Sequence, residues 1–228
     1  FGKDLKEPHP VSVVLPVLKK ANGQWVSSLE TLHMFAPHDW FAMLAQADLL
    51  DTIVGSMNQI EEFWDQTKPD DPKSHRNPMT KVQDWKKLFV PFEFHGDAAP
   101  HQKHDTLDSN SMRSLLAHLS VELASLMISS VPSACKATRK KIKELGVEFI
   151  GDTDEELGNT LKLSFTALYE GKHPELDSDG NKFTDEYRAS VAGQYLDPVH
   201  KRRGVIWTAP ADNEHNVLSY KLPSYNSN

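Results

Sequence analysis

Apolar and polar positions alternate through residues 89–97, with Val90, Phe92 and Phe94 set against Pro91, Glu93 and His95. A period of two predicts a strand with one buried face. Gly96 then frees the backbone, and Asp97 is expected at the strand end, where binding side chains are often presented. Ala98-Ala99-Pro100 reads as a turn, with residues 101–107 returning as a second strand. Residues 111–119 fit a third strand or a helix equally well, and the apolar run 121–131 reads as a strand stopped by Pro132. Residues 203–208 form another strand, buried at Val205, Ile206 and Trp207 and running into Asp212.

A period near 3.6 marks the helices. Trp40, Phe41, Leu44, Ala47 and Leu50 predict one helix over 38–54, opened by Pro37 and closed by Gly55. Ile60, Phe63 and Trp64 predict a second over 57–66. Leu157, Leu161, Phe165 and Leu168 give a third a core face, with acidic residues 152–156 at its start and Gly171 as its stop. Residues 136–145 form a basic helix, and a short helix is expected from Asp212 to residue 220. Pro8, Pro10 and Pro16 mark residues 1–35 as loop-like, with short strands at 11–18 and 25–35; residues 67–80 and 172–200 read as linkers. The sum is an α/β chain: a loop and helical annex over 1–80, then an α/β core on a mixed sheet over 81–228.

Composition narrows the function classes. A chain 39% hydrophobic and 25% charged is ordinary for a soluble globular protein. Its net charge of -7 excludes a generally basic nucleic-acid coat, so contact with DNA must come from local patches. The single cysteine, Cys135, forms no internal disulfide and favours an intracellular setting, nuclear or cytoplasmic. No apolar run approaches the ~20 residues that span a bilayer, so no membrane contact is expected. The chain starts at Phe1 rather than Met, as expected of a piece of a longer protein.

Three groups of residues suggest chemistry. Asp97 and Asp212 both follow apolar strands. Two carboxylates on neighbouring strands hold Mg²⁺ or Mn²⁺, hard ions that prefer oxygen and keep waters for a phosphate; the alternative is that each aspartate caps a turn or helix. His95, Asp97, His101 and His104 are dense in zinc-type ligands, but their spacing matches no established zinc motif. Lys136, Arg139, Lys140 and Lys143, with Lys201, Arg202 and Arg203, are candidate phosphate contacts; the alternative is a solvated helix face. Asp177-Ser178-Asp179-Gly180-Asn181 has its glycine too early and Arg188 where a calcium loop needs glutamate, so it reads as a polar turn.

Three stretches carry a resemblance. Residues 90–98, the later Gly204-Val205-Ile206-Trp207 with Ala211-Asp212, and the closing residues 222–228 resemble a multicopy, uncharacterised protein family of dinoflagellate algae. That family shows His-Gly-Asp-Gly after its first strand and Gly-Asp-Leu-Asp after the later one; here Ala98 and Ala211-Asp212-Asn213-Glu214 stand instead. The predicted order of strands and helices is also similar to the ribonuclease H-like core of DDE transposases and integrases. That resemblance implies a transposase- or nuclease-like metal-dependent phosphoryl transfer on DNA, or an inactive copy, with Asp97 and Asp212 as catalytic metal ligands. It places the third carboxylate beyond Asn228, because Glu214 is too near Asp212. The rival expectations are a non-catalytic binding or structural module on the same fold and, third, a zinc hydrolase.

Overall fold

The computed structural model describes residues 7–68, 71, 77–102 and 105–209, without the side chains of 99–102, 121 and 122. The chain opens with a hairpin of β1 (Val11–Ala21) and β2 (Gln24–Met34), paired antiparallel throughout. Its two-residue turn is Asn22-Gly23, with φ of 52° and 79°. Two central residues at positive φ make the turn whose twist matches paired strands. The expected loop is therefore two long strands. Pro16 is tolerated because a two-stranded ribbon leaves every residue near an edge.

Three helices follow: α1 (Pro37–Gln46), α2 (Leu50–Ile53) and α3 (Met57–Gln66). The single helix expected over 38–54 is interrupted at Asp48, which takes φ of 56°. The Leu49 amide donates to the Leu44 carbonyl at 2.8 Å and the Asp48 amide to the Ala45 carbonyl at 3.2 Å. This is a left-handed helix stop with aspartate in the place glycine usually takes. Ser56 and Gln59 cap α3 reciprocally.

A short helix, α4 (Trp85–Leu88), leads into β3 (Phe89–Gln102). Then come β4 (Asp105–Ser114), α5 (Val121–Ala124), β5 (Leu126–Pro132), α6 (Arg139–Leu145), α7 (Thr153–Glu170), α8 (Glu186–Val191) and β6 (Arg203–Thr208). The sheet order is β5-β4-β3-β6, with β3, β4 and β5 an antiparallel meander and β6 parallel to β3. Two expectations are corrected here. β3 does not stop at Asp97 or turn at residues 98–100; it runs to Gln102, because Asp97 faces Ser109 and Ala98 faces Asp108 in continuous pairing with β4. Nor are residues 121–131 all strand, since the first four form α5 and the strand begins at Leu126.

The helices pack on the sheet through aromatic contacts. Phe92 meets Phe41 of α1 and Phe94 meets Phe165 of α7, both edge-on, so these two helices share a face. On β6 the register with β3 shifts by one residue at Trp207, whose ring lies 4.9 Å from that of Trp64 on α3. Trp64 also donates its indole N–H to the Phe89 carbonyl at 2.7 Å. One continuous apolar core thus joins Leu15, Phe41 and Trp64 to Phe92, Met112 and Leu161. Asp152 caps α7 by accepting from the Asp154 and Glu155 amides, and Gly171 closes it at φ of 71°.

Gly204 sets the spacing between α7 and β6. A Cβ there would lie 2.7 Å from Leu168 Cγ and 2.8 Å from Phe92 Cε2, both buried. Gly204→Ala is expected to cost about 1–3 kcal/mol of unfolding free energy, as overpacking does. Gly158→Ala, in α7 with open space around its Cβ, is expected to add about 0.5–1 kcal/mol. Urea unfolding of the two variants measures these opposite signs.

Candidate functional site

Asp97 projects from β3 with its side chain 68% exposed, on the same strand face as Glu93 and His95. Its Oδ1 accepts from the Ala98 amide at 2.8 Å, and Oδ2 lies 3.9 Å from His95 Nε2. Glu93, two residues before His95, is engaged by Arg113 at 2.7 Å. Asp212 and Glu214, the His104 residue and the His101 side chain lie outside the described residues. Neither the expected Asp97–Asp212 pair nor the histidine cluster is therefore assembled among the described residues.

The basic residues divide into two groups. Lys136 is buried between Asp108 at 2.7 Å and Asp154 at 2.5 Å. Burial lowers its pKa, but the two carboxylates outweigh that and raise it above the usual lysine value. Arg202 is also buried, donating to Asp197 at 2.7 Å and to Asp51 at 2.5 Å. Both cations are engaged by the protein's own carboxylates. Arg139, Lys140, Lys143 and Lys201 are exposed, and Arg203 is half-buried with its guanidinium 5.8 Å over the Phe89 ring. Residues 177–181 form the expected turn, Asp177 Oδ1 accepting from the Asp179 and Asn181 amides.

Beside Lys136, α7 and the sheet enclose a cavity of about 450 Å³, lined by Phe94, Asn110, Leu157, Leu161, Phe165 and Ile206. Its wall is mainly apolar, with the Asp108–Lys136–Asp154 cluster along one side.

A second polar centre has no counterpart among the candidates read from the sequence. His38 and Asp39 sit in the first turn of α1, held inward by helix packing against α7. His173 follows the Gly171 helix stop, its amide donating to the Gln194 carbonyl at 2.9 Å and its carbonyl accepting from Gly193 at 3.1 Å. Asp39 Oδ1 lies 3.3 Å from His38 Nε2 and 3.8 Å from His173 Nδ1. Asp39 Oδ2 accepts from Arg188 of α8 at 2.6 Å. His38 Nδ1 lies 2.8 Å from Ser164 Oγ. Burial pushes the His38 pKa down to about 4, with Asp39 opposing the shift and Arg188 and His173 adding to it. Burial also lowers that of His173, again with Asp39 opposing and Arg188 adding. Both rings are therefore neutral near neutral pH. His38, Asp39 and His173 form a group that could hold a metal ion. The adjacent His38-Asp39 pair just after Pro37 was the only local signal; His173 and Arg188 join it through the fold alone.

The Arg202–Asp197 pair is open to test. Burial pushes the Asp197 carboxyl up, but Arg202 and the His200 amide outweigh it and hold it below the usual carboxylate range. A depressed carboxylate stabilises the fold above its unfolded value of about 3.9. That contribution is lost as pH falls from there through the folded value. Asp197→Ala is expected to cost up to about 3–5 kcal/mol by leaving buried Arg202 with only the exposed Asp51 carboxylate, and to flatten the acid limb of stability between about pH 5 and pH 2. Urea unfolding across that range measures both. Comparison of the chain with protein families, with curated proteins and with solved structures finds no match in any of the three.

Proposed function

We propose that this chain carries a ribonuclease H-like core for metal-dependent phosphoryl transfer on DNA, with Asp97 and Asp212 as ligands of Mg²⁺ or Mn²⁺. The observation that supports it is the order and sense of the sheet. Three strands meander antiparallel, a long helix follows, and the next strand returns parallel to the first. This is the order in which the resembled transposases and integrases place their first two aspartates. The last paired residues of β3 and β6 are Glu93 and Thr208. Asp97 and Asp212 each follow their own member of that pair by four residues in the sequence.

Two hard ions at such a site activate water or hydroxyl and stabilise the leaving oxygen of a phosphodiester. Arg139, Lys140, Lys143 and Lys201, exposed on the surface, are the cations for the DNA backbone. Lys136 and Arg202 are withdrawn from that role, since each already has two carboxylates. The second reading is a binding or structural module on the same fold. It is favoured by Asp97 bonding its own neighbour's amide, as a residue with a local backbone role does.

Calorimetric titration of the full-length protein with Mn²⁺ or Mg²⁺ separates the two. The enzyme reading expects binding that Asp97→Asn weakens by at least about tenfold, roughly 1.4 kcal/mol, together with DNA cleavage that depends on the same residue. Absence of binding in both proteins leaves the binding-module reading in its place.

A further inference from the structure

We propose that His38, Asp39 and His173 form a second metal site, distinct from Asp97, that takes one divalent transition-metal ion of the class of Zn²⁺ and Co²⁺. One ligand atom from each of His38, Asp39 and His173 lies within 4.8 Å of the other two, and the unpartnered atoms are His38 Nε2, Asp39 Oδ1 and His173 Nδ1. Each is buried and has no hydrogen-bond partner among the described residues. An unsatisfied buried polar atom costs about 1–3 kcal/mol. Three of them turned toward one point call for a common partner.

The geometry fits an ion. Bonds of about 2.0–2.2 Å in a tetrahedral shell put ligand atoms roughly 3.3–3.6 Å apart. The two contacts to Asp39 Oδ1 are 3.3 Å and 3.8 Å. A small inward movement of His173 would bring the three donors to tetrahedral spacing, leaving the fourth position to water. The outer contacts suit the same role. Ser164 Oγ lies 2.8 Å from His38 Nδ1. Accepting a hydrogen bond from the N–H at that position fixes the tautomer that leaves Nε2 with its lone pair free, the usual arrangement behind a metal-bound histidine. Arg188 holds the second oxygen of Asp39, so Oδ1 alone is directed at the ion.

Ligand chemistry selects the ion. Two imidazoles and one carboxylate suit zinc, cobalt or ferrous iron rather than magnesium or calcium. Arg188 already balances the charge of Asp39. A dication is therefore held by the donor strength of the imidazoles, and affinity is moderated by the nearby guanidinium. A cavity of about 850 Å³ borders His38, Ser164 and Arg188, on one side of the cluster.

The test uses the full chain freed of any affinity tag and stripped with chelator. Co²⁺ titration followed by visible absorption is expected to show a ligand-field band saturating at one ion per chain and abolished by Zn²⁺. Equilibrium dialysis with Zn²⁺ should give the same stoichiometry. His173→Gln and Asp39→Asn are expected to weaken binding by more than about tenfold, and Ser164→Ala by about tenfold, the loss that outer partners cause. Asp97→Asn should bind at this site as the wild type does, which separates failure here from failure of the phosphoryl-transfer reading. If Asp39→Asn does not fold, His173→Gln and Ser164→Ala decide. The proposal is overturned if the folded wild type takes up no stoichiometric Co²⁺ or Zn²⁺. It is equally overturned if uptake survives unchanged in His173→Gln, since other histidines then supply the ligands.

Discussion

The close seating of α7 on the edge strand β6 and its neighbour β3 is the constraint on which the rest of the molecule depends. Leu157, Leu161 and Leu168 form its buried stripe, and Phe165 adds an edge contact with Phe94. Leu168 reaches β6 only because Gly204 presents no side chain. At its start, Thr153 takes the Ala137 amide and gives its hydroxyl to the Pro16 carbonyl, which brings the β1–β2 hairpin into the same core. At its end, the Gly171 stop turns the chain so that His173 returns beneath α1. One helix therefore fixes the hairpin, the sheet and the polar centre together.

Charge is handled inside the fold by local neutralisation. Asp39 is matched by Arg188, Arg202 by Asp197 and Asp51, and Lys136 by Asp108 and Asp154. Buried charges survive only when paired and hydrogen-bonded. This explains why a basic run in the sequence is a poor guide to a basic surface: Lys136 precedes α6 and faces inward, whereas Arg139, Lys140 and Lys143 face water. The Asp39 centre differs from the other two pairs. It adds two neutral imidazoles with unmatched atoms, which is the property that makes it a ligand set rather than an ion pair.

Elements with strong periodicity are legible in the sequence. The strand at 89–94, the helix at 57–66, α7 with its acidic start and glycine stop, and β6 all follow from spacing. What misled was punctuation. Pro8, Pro10 and Pro16 suggested loop, while the Asn22-Gly23 turn carried the stronger signal of a hairpin. Asp48 ended α1 with no glycine or proline to announce it. Pro100 suggested a turn in a strand that continues past it, since beyond Glu93 β3 pairs with β4 but no longer with β6 among the described residues. The polar centre was least legible, because Asp39 and Arg188 stand 149 residues apart and meet only through tertiary packing.

The buried pairs also bear on heat. Hydration of charged groups becomes less favourable as temperature rises, so the cost of having removed Arg188, Arg202 and Lys136 from water shrinks on warming, while apolar burial gains little. The balance of this fold therefore shifts with temperature: its internal salt links carry a growing share of the stability as it warms.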